Sequence, residues 1–310
     1  MPSRPKPRQA QQALITDPER RRRLAAAFDD DTTLEAAWRY DALRPRYPED
    51  AVKQLLAAAA GHLPAGRDDV RQDTSGQATP GPTAGTLAAA DAEAPVIADL
   101  GAGTGILTRA LLAGGASVHA VEPSAAMLQV LRARSPEDQL RPARLQLHQA
   151  TAEATGLGQA SCDVVVAAQA WHWFDDALVQ EEVRRILRPQ GVLAVVANYL
   201  DTSVPWVHRL TRIMRAGDVY RPGWTPPVDP ARFDAWHTTQ ARWERGITPE
   251  GIRELSTTLS SWLSADEPAR ARRRANLDWY LDEHLGLTPG EPVALPYLTV
   301  LHTSVLPGPA

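Results

Sequence analysis

A glycine-rich turn at residues 96–106 constrains this 310-residue chain more than any other feature. Residues 96–100 (VIADL) predict a short buried strand, and Gly101, Gly103 and Gly105 break that strand into a tight turn. Glycines let the backbone turn this sharply and approach a ligand without interference from Cβ. A helix predicted at 106–112 then presents its positive N-terminal end to whatever lies above the turn. The run therefore predicts a strand–turn–helix unit of the kind that begins many nucleotide-binding sites.

The spacing of the glycines narrows the class of site. A dinucleotide fingerprint, G-x-G-x-x-G/A, needs a small residue at the position that Ile106 occupies here. A Walker phosphate loop needs Gly-Lys-Ser/Thr, which this turn lacks. The glycines instead fall at every second position, and Asp99 precedes the first of them by two residues. This D-x-G-x-G-x-G pattern resembles the first motif of class I S-adenosylmethionine-dependent methyltransferases.

A second strand, predicted at 116–122, ends in an acid. Glu122 follows Gly101 by 21 residues, and a carboxylate there can accept hydrogen bonds from both ribose hydroxyls of an adenosyl group. The alternative is a surface acid that only closes a strand. A helix is predicted from Ser124, a plausible N-cap, to about residue 133, with Met127 placed to cover an adenine face.

The resemblance extends this set of candidate ligands. In the methyltransferases, a small residue and an acid after the third strand border the adenine. The resemblance implies the same role for Ala152 and Glu153. A loop without ligand contact remains an alternative. The resemblance implies S-adenosyl-L-methionine as the cofactor, and no metal ion is predicted. The candidate cofactor-binding residues are Asp99, Gly101, Ala102, Gly103, Gly105, Glu122, Pro123, Met127, Ala152, Glu153 and Gln169.

The rest of the chain repeats the alternation of strand and helix. Further strands are predicted at 143–148, 163–168 and 192–197, with a helix at 178–187 before the last of them, whose apolar stripe includes Leu178. Residues 297–305 have the pattern of an antiparallel edge strand that closes the sheet. This order predicts an α/β fold with a doubly wound, mostly parallel sheet. The resemblance implies that this sheet is the seven-stranded, Rossmann-like one of class I methyltransferases.

Composition divides the chain further. Residues 1–35 are predicted as a polar tail that leads into a helix, and 36–310 as the methyltransferase domain. Residues 63–95 lack hydrophobic periodicity and predict a disordered insertion, because such a segment cannot offset its ordering entropy by burying apolar surface. A helical cap is predicted at about 200–290, with helices at 205–215, 248–263 and 269–285. Within it, the arginines at 270–274 form either a solvated helix face or a patch that attracts an acidic substrate.

Charge and cysteine content exclude several classes of partner. The net charge of −4 provides no general attraction to nucleic acid. The only cysteine, Cys162, excludes an intramolecular disulfide and is expected to be an inert thiol at the start of a strand. No apolar run reaches the length of a membrane span, and no apolar segment follows the basic N-terminus. A cytoplasmic protein acting on a small molecule is expected, without a prediction of its oligomeric state.

An aromatic segment follows the strand at 163–168. Ligands of such sheets bind beyond the carboxyl ends of the strands, so Trp171, His172 and Trp173 are expected near the reactive end of the cofactor. His172 could deprotonate a hydroxyl or amine acceptor, orient a carboxylate acceptor, or serve only as a wall. Trp171 and Trp173 could shape a substrate pocket or brace the cap from the core.

A tyrosine–proline segment precedes the insertion. The pattern Tyr-x-x-x-Arg-Pro-x-Tyr-Pro at 40–48 resembles a piece that folds over the cofactor in one methyltransferase subgroup. Tyr47 or Arg46 would then cover the methionine end, or both would only pack the start of a helix. Together with A-x-A-W-H-W-F at 168–174, the pattern resembles the methyltransferase type 11 group, and within it the trans-aconitate methyltransferase-like proteins.

The resulting functional hypothesis is an S-adenosylmethionine-dependent methyltransferase that acts on a small acceptor such as a carboxylate or hydroxyl, by in-line displacement. Two alternatives remain open at this point. One is an NAD(P)-dependent oxidoreductase on a related fold, against which Ile106 and the lack of an evident hydride-transfer constellation count. The other is a non-catalytic nucleotide-binding protein.

Overall fold

A computed structural model describes residues 33–61, 70–72, 94–216 and 219–308. These residues form one eight-stranded sheet with helices on both faces. The strands are β1 (Val70–Gln72), β2 (Val96–Leu100), β3 (Ser117–Val121), β4 (Leu145–His148), β5 (Cys162–Ala168), β6 (Leu187–Leu200), β7 (His237–Ile247) and β8 (Val293–Val305). The α-helices are α1 (Thr33–Leu43), α2 (Glu49–Ala59), α3 (Ile106–Ala113), α4 (Ala125–Arg134), α5 (Asp176–Ile186), α6 (Pro205–Met214), α7 (Pro249–Thr257), α8 (Ser260–Leu263) and α9 (Glu267–Asp278).

The sheet has the order β1-β7-β8-β6-β5-β2-β3-β4. β2 lies between β3 and β5 and pairs in parallel with both, and β6 continues the parallel set. β8 is antiparallel to β6 and to β7. The prediction of a mostly parallel seven-stranded sheet with one antiparallel strand is confirmed. The three-residue β1 adds an eighth strand, parallel to β7.

Alternate residues of the central strands pack on opposite faces of the sheet, since successive side chains of a strand point to opposite sides of it. Ile97 of β2 and Val164 of β5 join a core with Leu55 of α2 and Leu111 of α3. Their neighbours Ala98 and Val165 join the core on the other face, which includes residues of α5. Both faces are therefore covered, which explains why these strands read as continuous apolar runs.

Three sequence predictions need correction. β8 is antiparallel as expected, but it lies between β6 and β7 and not at an edge. β7 was missed because its sequence, HTTQARWERGI, alternates few apolar residues and is mostly half-buried. Leu178, expected on the buried stripe of α5, is 58% exposed, since the helix turns Val179, Val183 and Ile186 inward instead.

The predicted helices at 248–263 and 269–285 are each divided in two. The first becomes α7 and α8, and the second becomes α9 followed by a π-helical turn at Trp279–His284. Most of the N-terminal tail and of the 63–95 insertion lies outside the described residues; within the insertion, β1 contradicts the prediction of a structureless segment for three residues. Among the described helices, none is both long and apolar enough to cross a membrane.

Candidate functional site

A pocket of about 160 Å³ opens where β2, β3 and β5 end. Because these three strands are parallel neighbours, their carboxyl ends meet at one edge of the sheet. Gly101 follows β2, Glu122 follows β3, and Gln169 follows β5, and all three line the pocket. The complete lining is Tyr40, Gly101, Gly103, Glu122, Pro123, Ser124, Met127, Ala168, Gln169, Ala170, Trp173 and Phe174.

The turn after β2 requires glycine for two different reasons. Gly101, Gly103 and Gly105 all have positive φ, at 67°, 56° and 80°, a region that other residues occupy at a cost. At Gly105 a Cβ would also collide with the side chain of Leu131 in α4, and at Gly101 it would meet Cβ of Ala170 at 2.6 Å. At Gly103 no atom lies within 4 Å of that position, so this glycine faces open space in the pocket.

Glu122 is held in place by two backbone amides. Its Oε2 accepts a hydrogen bond from the N–H of Gly103 at 2.9 Å, and its Oε1 accepts one from the N–H of Ser124 at 3.0 Å. The residue is only 9% exposed, yet it lines the pocket. The predicted N-cap is also present, since the N–H of Met127 donates to Oγ of Ser124 at 3.4 Å. A carboxylate is thus fixed at the pocket wall.

Asp99 lies beneath the turn and is fully buried. Its Oδ2 accepts a hydrogen bond from Oγ1 of Thr108 at 2.6 Å, which joins β2 to the first turn of α3. Burial raises the pKa of the Asp99 carboxyl to about 6, against the opposing effect of the bonds from Thr108. Its Oδ1 has no hydrogen-bond partner among the described residues. Asp99 was predicted to bind the cofactor, but it does not line the pocket. Its contact with Thr108 instead supports the turn from below.

Gln169 holds a strained backbone at the pocket wall. Its φ is +57°, in the left-handed region, and its side-chain Nε2 donates to the carbonyl of Asn198 in β6 at 2.6 Å. Asn198 in turn donates from Nδ2 to the carbonyl of Arg46 at 3.1 Å. Such backbone conformations persist where the surrounding contacts hold them in place, and they cluster at functional sites. Here the left-handed conformation of Gln169 turns the chain away from β5, next to the glycine-rich turn.

The aromatic segment divides its side chains between core and pocket. Residues Trp171–Trp173 form one turn of 3₁₀ helix. Trp171 is 3% exposed and packs in the core with Phe174, whereas Trp173 and Phe174 line the pocket. His172 lies against Trp173, with ring centroids 4.6 Å apart, and is not among the lining residues. Trp171 therefore braces the core, which was one of the two alternatives for these tryptophans, and Trp173 faces the pocket.

Tyr40 is a pocket residue that sequence reasoning did not select. It lies on α1, and the arginine of the same motif, Arg44, places its guanidinium over the Tyr40 ring at 4.9 Å from the centroid. The motif at 40–48 is the signal that points to this residue, but Tyr47 was chosen from it. The lining also includes Ser124, Ala168, Ala170 and Phe174, which were not named as site residues.

A buried ion pair fixes α1 against the turn. Asp41 is fully buried, and its Oδ1 lies 2.6 Å from Nη2 of Arg109 in α3. Arg134 of α4 approaches Oδ2 of the same carboxylate at 3.2 Å. Burial lowers the pKa of Arg109, while the bond to Asp41 acts in the opposite direction. The wall that carries Tyr40 is thus tied to the helix that begins at the turn.

The remaining candidate residues lie outside the pocket lining. Tyr47 packs against the core on the α2 side of the sheet, and burial raises the pKa of its phenol well above the usual value. Ala152 is buried in the opposite core. Glu153 accepts a hydrogen bond through Oε1 from the N–H of Asp175 at 2.8 Å, which fixes the start of α5. Ala102 and Gly105 shape the turn from behind, the latter as N-cap of α3.

Cys162 and three of the four arginines at 270–274 have structural explanations. Cys162 is fully buried at the start of β5, where it was expected, and burial raises the pKa of its thiol. Arg270 donates to the carbonyls of Trp262 and Leu263, and Arg273 to that of Ser261, so both satisfy backbone groups of the short helix α8. Arg274 pairs with Glu267 on its own helix.

Comparison with known proteins agrees with this geometry. A model of a methyltransferase domain, Methyltransf_11, matches residues 98–195, which extend from within β2 to within β6 and include the glycine-rich turn. An uncharacterized methyltransferase of Mycobacterium tuberculosis is 34% identical over 262 residues, covering 84% of this chain and 90% of the relative. A methyltransferase-like protein of Schizosaccharomyces pombe is 35% identical over 192 residues, covering 60% of this chain and 72% of the relative.

Among solved structures, a protein named as a type II methyltransferase from Anaeromyxobacter dehalogenans is similar, at 23% identity. The alignment covers 85% of this chain and 99% of that chain, with a TM-score of 0.48. The mycobacterial relative is similar over nearly its whole length, and the mostly parallel sheet with its antiparallel β8 matches the fold that the resemblance implied. The chain therefore belongs to the class I methyltransferases, with a methyltransferase type 11 domain at its centre.

Proposed function

We propose that this protein transfers a methyl group from S-adenosyl-L-methionine to a small-molecule acceptor. The observation that carries the proposal is the hydrogen bond from the N–H of Gly103 to Oε2 of Glu122. In a dinucleotide site the amides of this turn face a pyrophosphate. Here a carboxylate takes that amide, and its negative charge disfavours a phosphate at the same position.

The chemistry of the pocket fits the adenosyl group. Among the described lining residues, Glu122 is the single charged one, and Pro123, Met127 and Phe174 provide apolar faces for a base. The Glu122 carboxylate would bind the ribose hydroxyls. The open space in front of Gly103 leaves room for a ligand at the turn.

The volume of the pocket suggests how the cofactor enters. About 160 Å³ is smaller than the roughly 300–1,000 Å³ typical of small-molecule sites. We therefore expect a wall to move on binding. Tyr40 is the lining residue on α1, outside the sheet and its connecting turns, so we expect its ring to shift.

The proposed reaction requires little covalent chemistry from the protein. When bound, the cofactor supplies a methyl group on a positively charged sulfonium. Trp173 and Phe174 would exclude water from this group and hold the acceptor in line with it. His172, whose ring lies against Trp173, would orient an acceptor carboxylate or take a proton from a hydroxyl. An acceptor of either kind is proposed, and a trans-aconitate-like substrate is one example of the first.

Equilibrium binding separates this proposal from its alternatives. Isothermal titration calorimetry of the full chain with S-adenosylhomocysteine should show one site per chain, and NAD should show no binding at the same concentration. Binding of NAD without S-adenosylhomocysteine would favour the oxidoreductase and overturn the proposal. A screen for transfer of a labelled methyl group to pooled small carboxylates and alcohols then tests catalysis, and a chain that binds the cofactor but methylates none would be the non-catalytic alternative.

A further inference from the structure

A second cavity, larger than the first, lies between α6 and α9. Its volume is about 620 Å³, within the range of small-molecule sites. It shares no lining residue with the pocket at the glycine-rich turn. Its lining contains no acidic side chain among the described residues. The basic ones are His208, Arg209, Arg212, Arg215, Arg272 and Arg273.

Two of the five arginines have evident structural partners. Arg209 stacks over the rings of Trp279 and Tyr280, at 5.2 and 5.3 Å from their centroids. Arg273 donates from Nη1 to the carbonyl of Ser261 at 2.6 Å. These contacts fix two guanidinium groups of the cleft in position without neutralising their charge.

The other three arginines lack an acidic partner in the part of the chain that the structure describes. Arg212 and Arg215 come from the C-terminal end of α6, and Arg272 comes from α9. Among the acidic residues nearby, Asp278 and Asp282 pair with Arg253, and Glu267 pairs with Arg274. Asp266 attracts Arg273. The cleft therefore holds three arginines that form no ion pair with the described residues.

This concentration of positive charge is unfavourable for the protein alone. Burial, followed by repulsion from Arg215 and Arg270, lowers the pKa of Arg273, against the opposing attraction of Asp266. The Nε of Arg273 is buried without a hydrogen-bond partner among the described residues. The whole chain carries a net charge of −4, so the positive charge of the cleft is opposite in sign to the net charge of the protein. An anion between the two helices would relieve this repulsion.

The stabilisation of helix ends does not explain the arrangement. A cation near the C-terminus of α6 interacts favourably with the helix dipole, which explains Arg212 or Arg215. It does not explain why α9 adds Arg272 and Arg273 to the opposite wall of the same cleft. Guanidinium groups bind oxyanions through paired N–H donors, and several converging groups suit a ligand with more than one negative charge.

We propose that the cleft between α6 and α9 is a binding site for a small multivalent oxyanion, one that carries phosphate or carboxylate groups. The site is separate from the pocket proposed for methyl transfer. Its ligand is therefore a second molecule bound by this chain, whatever the activity of the first pocket.

Calorimetry of the full chain with pyrophosphate and with citrate tests the proposal and distinguishes the two chemistries. The titrations are made at about 0.15 M ionic strength, so that diffuse attraction is screened, and acetate provides a monovalent comparison. The test variant is Arg212→Gln with Arg272→Gln. The matched control is Arg132→Gln with Arg141→Gln, which removes two charges from exposed positions elsewhere.

We expect one pyrophosphate or citrate per chain, bound more tightly than acetate, and the control variant should bind like the wild type. The test variant should bind at least about ten-fold more weakly, because it loses charge-assisted hydrogen bonds. Its affinity for S-adenosylhomocysteine and its circular dichroism spectrum should stay unchanged. Absence of saturable binding by the wild type, or equal weakening in both variants, would overturn the proposal.

Discussion

The backbone N–H of Gly103 donates a hydrogen bond to Oε2 of Glu122 across 2.9 Å, joining the turn after β2 to the end of β3. The two residues are 19 positions apart in the chain and meet because their strands are parallel neighbours. This contact orients the carboxylate toward the pocket and removes an amide that a phosphate would otherwise use. Four predictions follow from this contact and from the elements around it.

Replacing Glu122 by alanine should weaken S-adenosylhomocysteine binding by about 2 kcal/mol, the worth of one or two charge-assisted hydrogen bonds. That loss corresponds to roughly a thirty-fold rise in Kd. Calorimetry measures it, and Glu137→Ala, at an exposed position after α4, is the matched control. Unchanged affinity in a folded Glu122→Ala protein would remove the ribose role from this residue.

Alanine at two glycines of the same turn should have unequal effects on stability. Gly105→Ala should cost about 3 kcal/mol, because its methyl group meets Leu131 and its φ is +80°. Gly103→Ala keeps the penalty of a positive φ, about 1 kcal/mol, but its methyl group enters open space. Urea denaturation compares the two variants. Equal losses would show that packing against α4 does not constrain the turn.

Loss of the buried Asp41 carboxylate should loosen α1. Asp41→Asn leaves Arg109 without its ion-pair partner in a buried setting, and we expect a loss of about 3 kcal/mol in the free energy of unfolding. The control is Glu49→Gln, which removes an exposed ion pair to Lys53 and should cost much less. Chemical denaturation followed by tryptophan fluorescence measures both. Similar losses in the two variants would contradict the anchoring role of Asp41.

Two buried groups should make opposite contributions to the pH dependence of stability. The pKa of Asp99 is raised by burial to about 6, so the folded state binds more protons than the unfolded state between about pH 4 and 6. The free energy of unfolding contributed by this group therefore falls, by about 3 kcal/mol in all, as the pH rises through that window.

His302 acts in the other direction. It is 3% exposed, packed between Trp224 and Trp236, and burial lowers its pKa to about 4. The folded state binds fewer protons than the unfolded state between about pH 4 and 6.5, so this contribution rises by about 3 kcal/mol as the pH increases. Between pH 4 and 6 the two contributions nearly cancel.

Single variants should expose the two slopes. Asp99→Asn should make the stability rise more steeply with pH between 4 and 6 than in the wild type, and His302→Gln should make it fall relative to the wild type. Urea denaturation at a series of pH values provides the curves. Variant curves parallel to that of the wild type would mean that neither group titrates in this window.

The sequence predicted the secondary structure around the glycine-rich turn closely. The strand at 96–100, the helix after it and the acid at 122 are all found, because a local pattern encodes each of them. An apolar run encodes the strand, glycines with positive φ encode the turn into the helix, and the acid is a turn residue after the next strand. The N-cap of α4 at Ser124 is local in the same sense.

Other features depended on contacts distant in sequence. β7 carries few apolar residues, and it is a strand because β8 pairs with it over 11 positions. Tyr40 reaches the pocket through an ion pair between α1 and α3, residues 68 positions apart. Glu153 was assigned to the cofactor from its motif, but its carboxylate bonds to the N–H of Asp175.

By itself, then, the sequence determined the parallel α/β order and the glycine-rich turn with its acid, since short-range sterics and hydrophobic periodicity fix both. The tertiary structure alone decided which aromatic side chains face the pocket, and which side of the sheet receives Tyr47. It also brought the arginines of α6 and α9 to one cleft. These outcomes depend on which surfaces meet when the chain packs, and no local run of residues specifies that.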